Sequence, residues 1–159
     1  IRYLISHYSL RKKIYVRLQG PVYGNDNQWL KEIRTYIRNY NLHDMVFVKD
    51  FTEDVATFYS EIDLFVSTSF PFEPFGLVIL EAITAGIPVI GFRNGGLDEI
   101  IGNTSECLVD SGDVEMLAEK IYEYMHDSEK LTALANHQNE IYLHSYTLQI
   151  FQKNLLKLI

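Results

Sequence analysis

The chain has 159 residues, enough for one domain with a full hydrophobic core. Hydrophobic residues make up 47% and charged residues 22%, an ordinary balance for a soluble globular domain. A formal net charge of −7 speaks against nucleic acid and gives no help toward anionic membranes, and the single Cys107 excludes an internal disulfide and suits a reducing compartment.

The chain opens at Ile1, without Met and inside a helix-like pattern, so we expect a fragment of a longer protein. No apolar run reaches the length of a membrane span and no signal peptide is visible, so the expected setting is cytoplasmic, with attachment to the inner face of a membrane left open. Residues 1–11 read as a helix and 14–18 as a strand. Gln19-Gly20-Pro21 then begins a turn-rich loop that runs to Asn27. Residues 28–40 form an amphipathic helix, with Leu30, Ile33, Ile37 and Tyr40 on one side. A short strand follows at 46–49. Thr52 is expected to cap the next helix, with Val55, Phe58, Tyr59 and Ile62 turned inward.

Residues 64–67 make the next strand, and an apolar helix pattern runs from 76 to 85. Gly86 closes that helix and Pro88 opens a strand through Phe92. Arg93-Asn94-Gly95-Gly96 is a turn, 97–101 a short helix and 107–109 a strand. Asp113 caps a helix over 114–126. Asp127 or Ser128 caps another, to about 144, and an amphipathic helix closes the chain from 147 to 159. Strands alternate with helices and are short and continuously apolar. The expected fold class is therefore α/β, a Rossmann-like parallel sheet with helices on both faces. Ligands in such folds bind beyond the carboxyl ends of strands, near the switch in strand order. Gly20, Asp50, Glu73 and Gly95 all follow predicted strands.

Two carboxylates, Glu73 and Glu81, stand out within Glu73-Pro74-Phe75-Gly76-Leu77-Val78-Ile79-Leu80-Glu81. Glu73 sits in a Pro-bracketed loop. Glu81 sits in an apolar helix, where a charge is costly unless it is paired or faces a ligand. Between them lies a helix start, whose free N–H groups and dipole suit a phosphate. At a helical rise the two acids would stand roughly 12 Å apart, near the length of a sugar, a diphosphate and a ribose. The plain alternatives are a solvated loop acid and a helix acid facing water. The five histidines show no metal spacing, and no nucleophile elbow or P-loop is present, so no metal or cofactor is expected.

The run from Glu73 to Glu81, continued by Ala85-Gly86-Ile87-Pro88-Val89-Ile90 and Gly95-Gly96-Leu97-Asp98-Glu99, resembles the retaining nucleotide-sugar glycosyltransferases of family four, the group 1 glycosyltransferases. The resemblance extends from about Ile14 to about Met125. It implies a nucleoside-diphosphate sugar as donor, a hexosyl group transferred with retention, and a glycan or lipid-linked hydroxyl as acceptor, as in polysaccharide assembly. It makes Glu73 the catalytic acid, in contact with the transferred sugar, and Glu81 a bidentate grip on the ribose hydroxyls. Phe75, Gly76 and Leu77 would offer backbone N–H groups to the donor.

Gly20-Pro21 would correspond to a glycine-rich turn beside the donor, and Lys49-Asp50 to the start of a loop that reads the nucleobase. There the family carries an apolar residue and Gly, which leaves the base open. Arg93 and Asn94 could meet the diphosphate or the acceptor. The implied architecture is two Rossmann-like domains facing a cleft, the GT-B fold, with residues 1–159 as most of the C-terminal one. The first strand of this domain, an Arg/Lys pair in the loop after it, and the N-terminal acceptor domain with its catalytic His would then lie outside this chain. A nucleotide-sugar epimerase of the same fold and a degenerate, non-catalytic binding domain are the alternatives.

Overall fold

The computed structural model describes residues 1–10, 13–21, 28–69, 74–102 and 106–157. Among them, helices and strands alternate: α1 (Arg2–His7), β1 (Val16–Gln19), α2 (Gln28–Asn39), β2 (Val46–Lys49), α3 (Val55–Ser60), β3 (Phe65–Ser67), α4 (Leu77–Thr84), β4 (Val89–Phe92), α5 (Gly96–Ile101), β5 (Leu108–Val109), α6 (Val114–His126), α7 (Ser128–Ser145) and α8 (Leu148–Leu155). Every strand pairing is parallel, as the helix between successive strands requires. The strands form two ladders rather than one. β1 pairs with β2, Val16 opposite Val46. β3, β4 and β5 pair in that order, Ser67 opposite Gly91 and Gly91 opposite Leu108. No ladder joins β1 to β3 among the described residues.

The core lies around β4. All four of its residues are buried, because it has a strand on each side and helices over its faces. Ile79, Ala82 and Ile83 of α4, Leu97, Ile100 and Ile101 of α5, and Leu117, Ile121 and Tyr124 of α6 pack into the same cluster. The β1–β2 ladder is thinner, with Leu18 and Phe47 more than a third exposed.

Two close contacts fix the central ladder. Gln138, buried on α7, donates from Nε2 to the Val89 carbonyl at 2.7 Å, and its Oε1 accepts from the Val89 N–H at 2.8 Å. One side-chain amide thus satisfies both backbone groups of a strand residue inside the core. A Cβ placed on Gly91 would lie 2.2 Å from the Ser67 carbonyl oxygen and 3.0 Å from Leu97 Cδ2, so only glycine lets β3 and β4 meet at this height.

Helix starts follow the sequence closely, with one correction. Asp54, not Thr52, caps α3: its carboxylate accepts from the Thr57 N–H at 3.0 Å, while Thr52 Oγ1 accepts from the Asp54 N–H. Asp54 stands at the N-cap, from which its carboxylate reaches the third residue of the first turn, and Thr52 lies two residues too early. Val55 is then exposed rather than turned inward, and Tyr59 carries the burial. Asp113, Asp127 and Thr147 cap α6, α7 and α8.

Replacing Gln138 by Leu should lower stability by about 2–5 kcal/mol in urea unfolding, since two buried backbone groups lose their partners. Gly91→Ala should cost roughly 1–3 kcal/mol or more through overpacking. Gly20→Ala should stay within about 0.5 kcal/mol of the parent, because a Cβ at Gly20 meets nothing within 4 Å.

Candidate functional site

Within each parallel ladder the carboxyl ends of the strands lie at one edge, and the candidate residues follow them. Gly20 and Pro21 leave β1, and Lys49 and Asp50 end and follow β2 with exposed side chains. The chain leaving β3 leads to α4, and Arg93, Asn94 and Gly95 leave β4. Glu73, with residues 70–72, lies outside the described residues.

The start of α4 differs from those of α6, α7 and α8, which carry side-chain caps. Its N-cap is Gly76, at φ 82° and ψ 60°, and no side chain caps it. A left-handed cap is open to glycine without strain, and a glycine offers the first-turn N–H groups no side-chain acceptor of its own. Leu77 is 67% exposed and Val78 is 49% exposed, so this first turn opens outward. Phe75, just before it, packs edge-on against the Tyr146 ring with centroids 6.4 Å apart. Tyr146 in turn donates its hydroxyl to the Glu99 carbonyl, fixing the end of α7 beside the site.

Glu81 lies one turn beyond Leu77, on the same open side. The apolar pattern around it suggests a largely buried helix, and the structure corrects this. α4 buries a stripe of Ile79, Ala82 and Ile83, and Leu77, Val78 and Glu81 face outward. The Glu81 carboxylate therefore keeps solvent access. Its oxygen Oε2 lies 3.1 Å from the hydroxyl of Tyr59, which also stands 3.1 Å from the Val78 carbonyl oxygen. Burial, then the hydrogen bond to Glu81 and its negative charge, push the Tyr59 phenol well above its ordinary range.

The turn after β4 is held by its own side chains. Asp98 accepts from Arg93 Nη1 at 3.0 Å and from the Gly95 N–H at 3.4 Å. One guanidinium N–H of Arg93 is thus engaged by α5. Asn94 is buried and donates from Nδ2 to the Ser69 carbonyl at 2.7 Å, which ties the end of β4 to the segment that leads to Glu73. Sequence spacing gave no sign of Tyr59, Tyr146 or this Asn94 contact, because each partner lies 19 or more residues away.

An open apolar hollow of about 250 Å³ lies elsewhere, lined by Ile1, Val16, Leu18, Ile33, Ile37 and Val46 among others, and takes no candidate residue. Among the described residues no group of three or more His, Cys, Asp or Glu could hold a metal ion, and no helix is long and apolar enough to cross a membrane.

Glu81→Ala should change unfolding free energy by less than about 1 kcal/mol, since the side chain is exposed and Tyr59 keeps the Val78 carbonyl. A loss of several kcal/mol in urea unfolding would mark Glu81 as a structural residue instead.

The family model described as "Glycosyl transferases group 1" matches residues 1–140. Sulfoquinovosyl transferase SQD2 of Arabidopsis thaliana is 37% identical over 81 residues, covering 48% of this chain and 16% of that protein. N-acetyl-alpha-D-glucosaminyl L-malate synthase of Bacillus anthracis is 35% identical over 95 residues, covering 58% of this chain and 24% of that protein. Among solved structures, Anabaena Alr3699/HepE in complex with UDP superposes with a TM-score of 0.82 at 26% identity, over 91% of this chain and 40% of that one. The same protein is also known with UDP-glucose, at a TM-score of 0.80. The chain spans about a third or less of the length of these curated relatives.

Proposed function

This chain belongs to the group 1 glycosyl transferases, and from that premise we propose that it is the donor-binding domain of a retaining enzyme. The enzyme moves a hexosyl group from a nucleoside-diphosphate sugar to the hydroxyl of a glycan or lipid-linked acceptor. One observation carries this: α4 begins at Gly76 with no side-chain cap among the described residues, and Glu81 stands one turn on, on the same open side. An anion at that helix start and a diol at that carboxylate complement the two groups. HepE, similar in fold and 26% identical, is a UDP and UDP-glucose complex, which supports the donor class.

In this scheme the N–H groups of Phe75, Gly76 and Leu77 meet the diphosphate, and Glu81 accepts from the ribose hydroxyls. Glu73 accepts from hydroxyls of the transferred sugar. Gly20-Pro21 lies against the donor, and Lys49-Asp50 opens the loop that meets the base. Same-face attack, guided by the departing phosphate, accounts for retention without a protein nucleophile. Stabilisation of the negative charge on that phosphate supplies most of the rate. Residues 1–159 form the C-terminal Rossmann-like domain of a two-domain GT-B protein, whose N-terminal domain binds the acceptor. The interrupted ladder supports this division. In the doubly wound order 3-2-1-4-5-6, β2 and β1 fill the first two places and β3, β4 and β5 the last three, so one strand belongs between them.

Calorimetric titration of the full-length protein with UDP- and GDP-sugars tests the donor site. One of them should bind, and Glu81→Ala should weaken it roughly 10- to 100-fold, the effect of losing hydrogen bonds to a charged acceptor. The 159-residue chain alone should bind weakly and transfer nothing. Retention should appear as an unchanged anomeric configuration in the product by NMR. A folded full-length protein that binds no nucleotide sugar would be a scaffold, not a transferase.

A further inference from the structure

We propose that Tyr59 is a positioning residue for Glu81, holding its carboxylate in the orientation that receives the vicinal hydroxyls of the donor's ribose; this rests on the role given to Glu81 above. Glu81 is exposed, and a free glutamate on a helix surface samples several rotamers. Binding a diol with both carboxylate oxygens would then require freezing that freedom each time. Tyr59 removes most of it in advance. Its ring is 4% exposed, set against Phe58 at a centroid distance of 4.9 Å and Phe65 at 6.3 Å. Its hydroxyl is therefore a fixed point. It stands 3.1 Å from Glu81 Oε2 and 3.1 Å from the Val78 carbonyl, so it reads the position of α4 and of the carboxylate together.

The chemistry of the partner matters. A carboxylate offers about four acceptor lobes, and a single phenol occupies one of them. Oε1 and the remaining lobe of Oε2 stay available to ligand hydroxyls. A lysine or arginine in the same place would orient the acid too, but would neutralise it and compete for the lobes. A phenol is protonated at neutral pH in any case, and burial and the neighbouring carboxylate push its titration further up. The contact also ties α3, which follows β2, to α4, which follows β3. Tyr59 thus sets Glu81 relative to the part of the fold that leads to the Lys49-Asp50 loop.

The test uses the full-length protein and calorimetry with UDP, GDP and ADP, each beside its 2′,3′-dideoxy form. For the nucleotide that wild type binds, Tyr59→Phe should weaken the ribonucleotide roughly five- to tenfold, the scale of one ordinary net hydrogen bond. It should leave the dideoxy form unchanged. The ratio of the two Kd values, measured on one preparation, cancels any loss of folded protein. The double variant Tyr59→Phe with Glu81→Ala should bind no more weakly than Glu81→Ala, because the two changes act through one carboxylate. Equal losses for both nucleotide forms, or additive losses in the double variant, would overturn the role of Tyr59 alone. If Glu81→Ala does not discriminate ribose from dideoxyribose, the ribose grip falls and Tyr59's role falls with it.

Discussion

The backbones of β3 and β4 meet at Ser67 and Gly91 with no room for a side chain between the Gly91 Cα and the Ser67 carbonyl. That contact sets the height at which β3 ends, and everything at the candidate site is placed from there. Asn94, two residues beyond β4, reaches back to the Ser69 carbonyl and fixes the direction in which the chain leaves β3. The segment then arrives at Gly76, whose left-handed conformation turns it into α4. Behind α4 the packing is tight: Ile79, Ala82 and Ile83 are essentially sealed, and α7 is pinned to β4 by Gln138. A rigid back and an open front are what a preorganised binding helix needs.

Electrostatics divide the work unevenly. A helix N-terminus is equivalent to about half a positive charge and acts within its first turn. That suffices to choose an anion over a neutral group. It falls well short of neutralising a diphosphate as it departs. Arg93, the cation beside the turn after β4, is held by Asp98 across 3.0 Å and serves α5. With a formal net charge of −7, the chain adds no general positive field. In the proposed reaction, further neutralisation would be supplied by groups that approach the open side of α4.

Much of the architecture was legible because local pattern and tertiary need agree. β2 and α6 run over the residues their patterns indicate, 46–49 and 114–126, the helix with a carboxylate cap at Asp113. The site was legible as a motif but not as a geometry. An apolar octet such as α4 looks buried on every side, yet eight residues make little more than two turns, and only one stripe can reach the core. Glu81 is open for that reason. Tyr59 falls at an inward position of α3 and presents itself as an ordinary core aromatic; its hydroxyl acquires meaning only when α4 is laid against it. Gln138 looks like a polar residue of an amphipathic helix, and only the sheet reveals that it stands in for a strand neighbour. Periodicity records which side of an element is apolar. It carries no record of which distant backbone group that side will meet.

The interrupted ladder bears on the chemistry as well as on the fold. In a doubly wound sheet the chain moves outward from the centre on one side, then returns and moves outward on the other. β1 to β2 is one such excursion and β3 to β4 to β5 is the other. The centre therefore falls between β1 and β3, with Gly20-Pro21 leaving one flank and the path to α4 leaving the other. A donor lying from the α4 start toward the β1 turn would cross that centre. A strand placed there would end beneath the diphosphate, and its loop would be the shortest route by which cations could reach the phosphate oxygens. Under the proposed domain division, an element that paired between β1 and β3 would also bring its loop toward the start of α4.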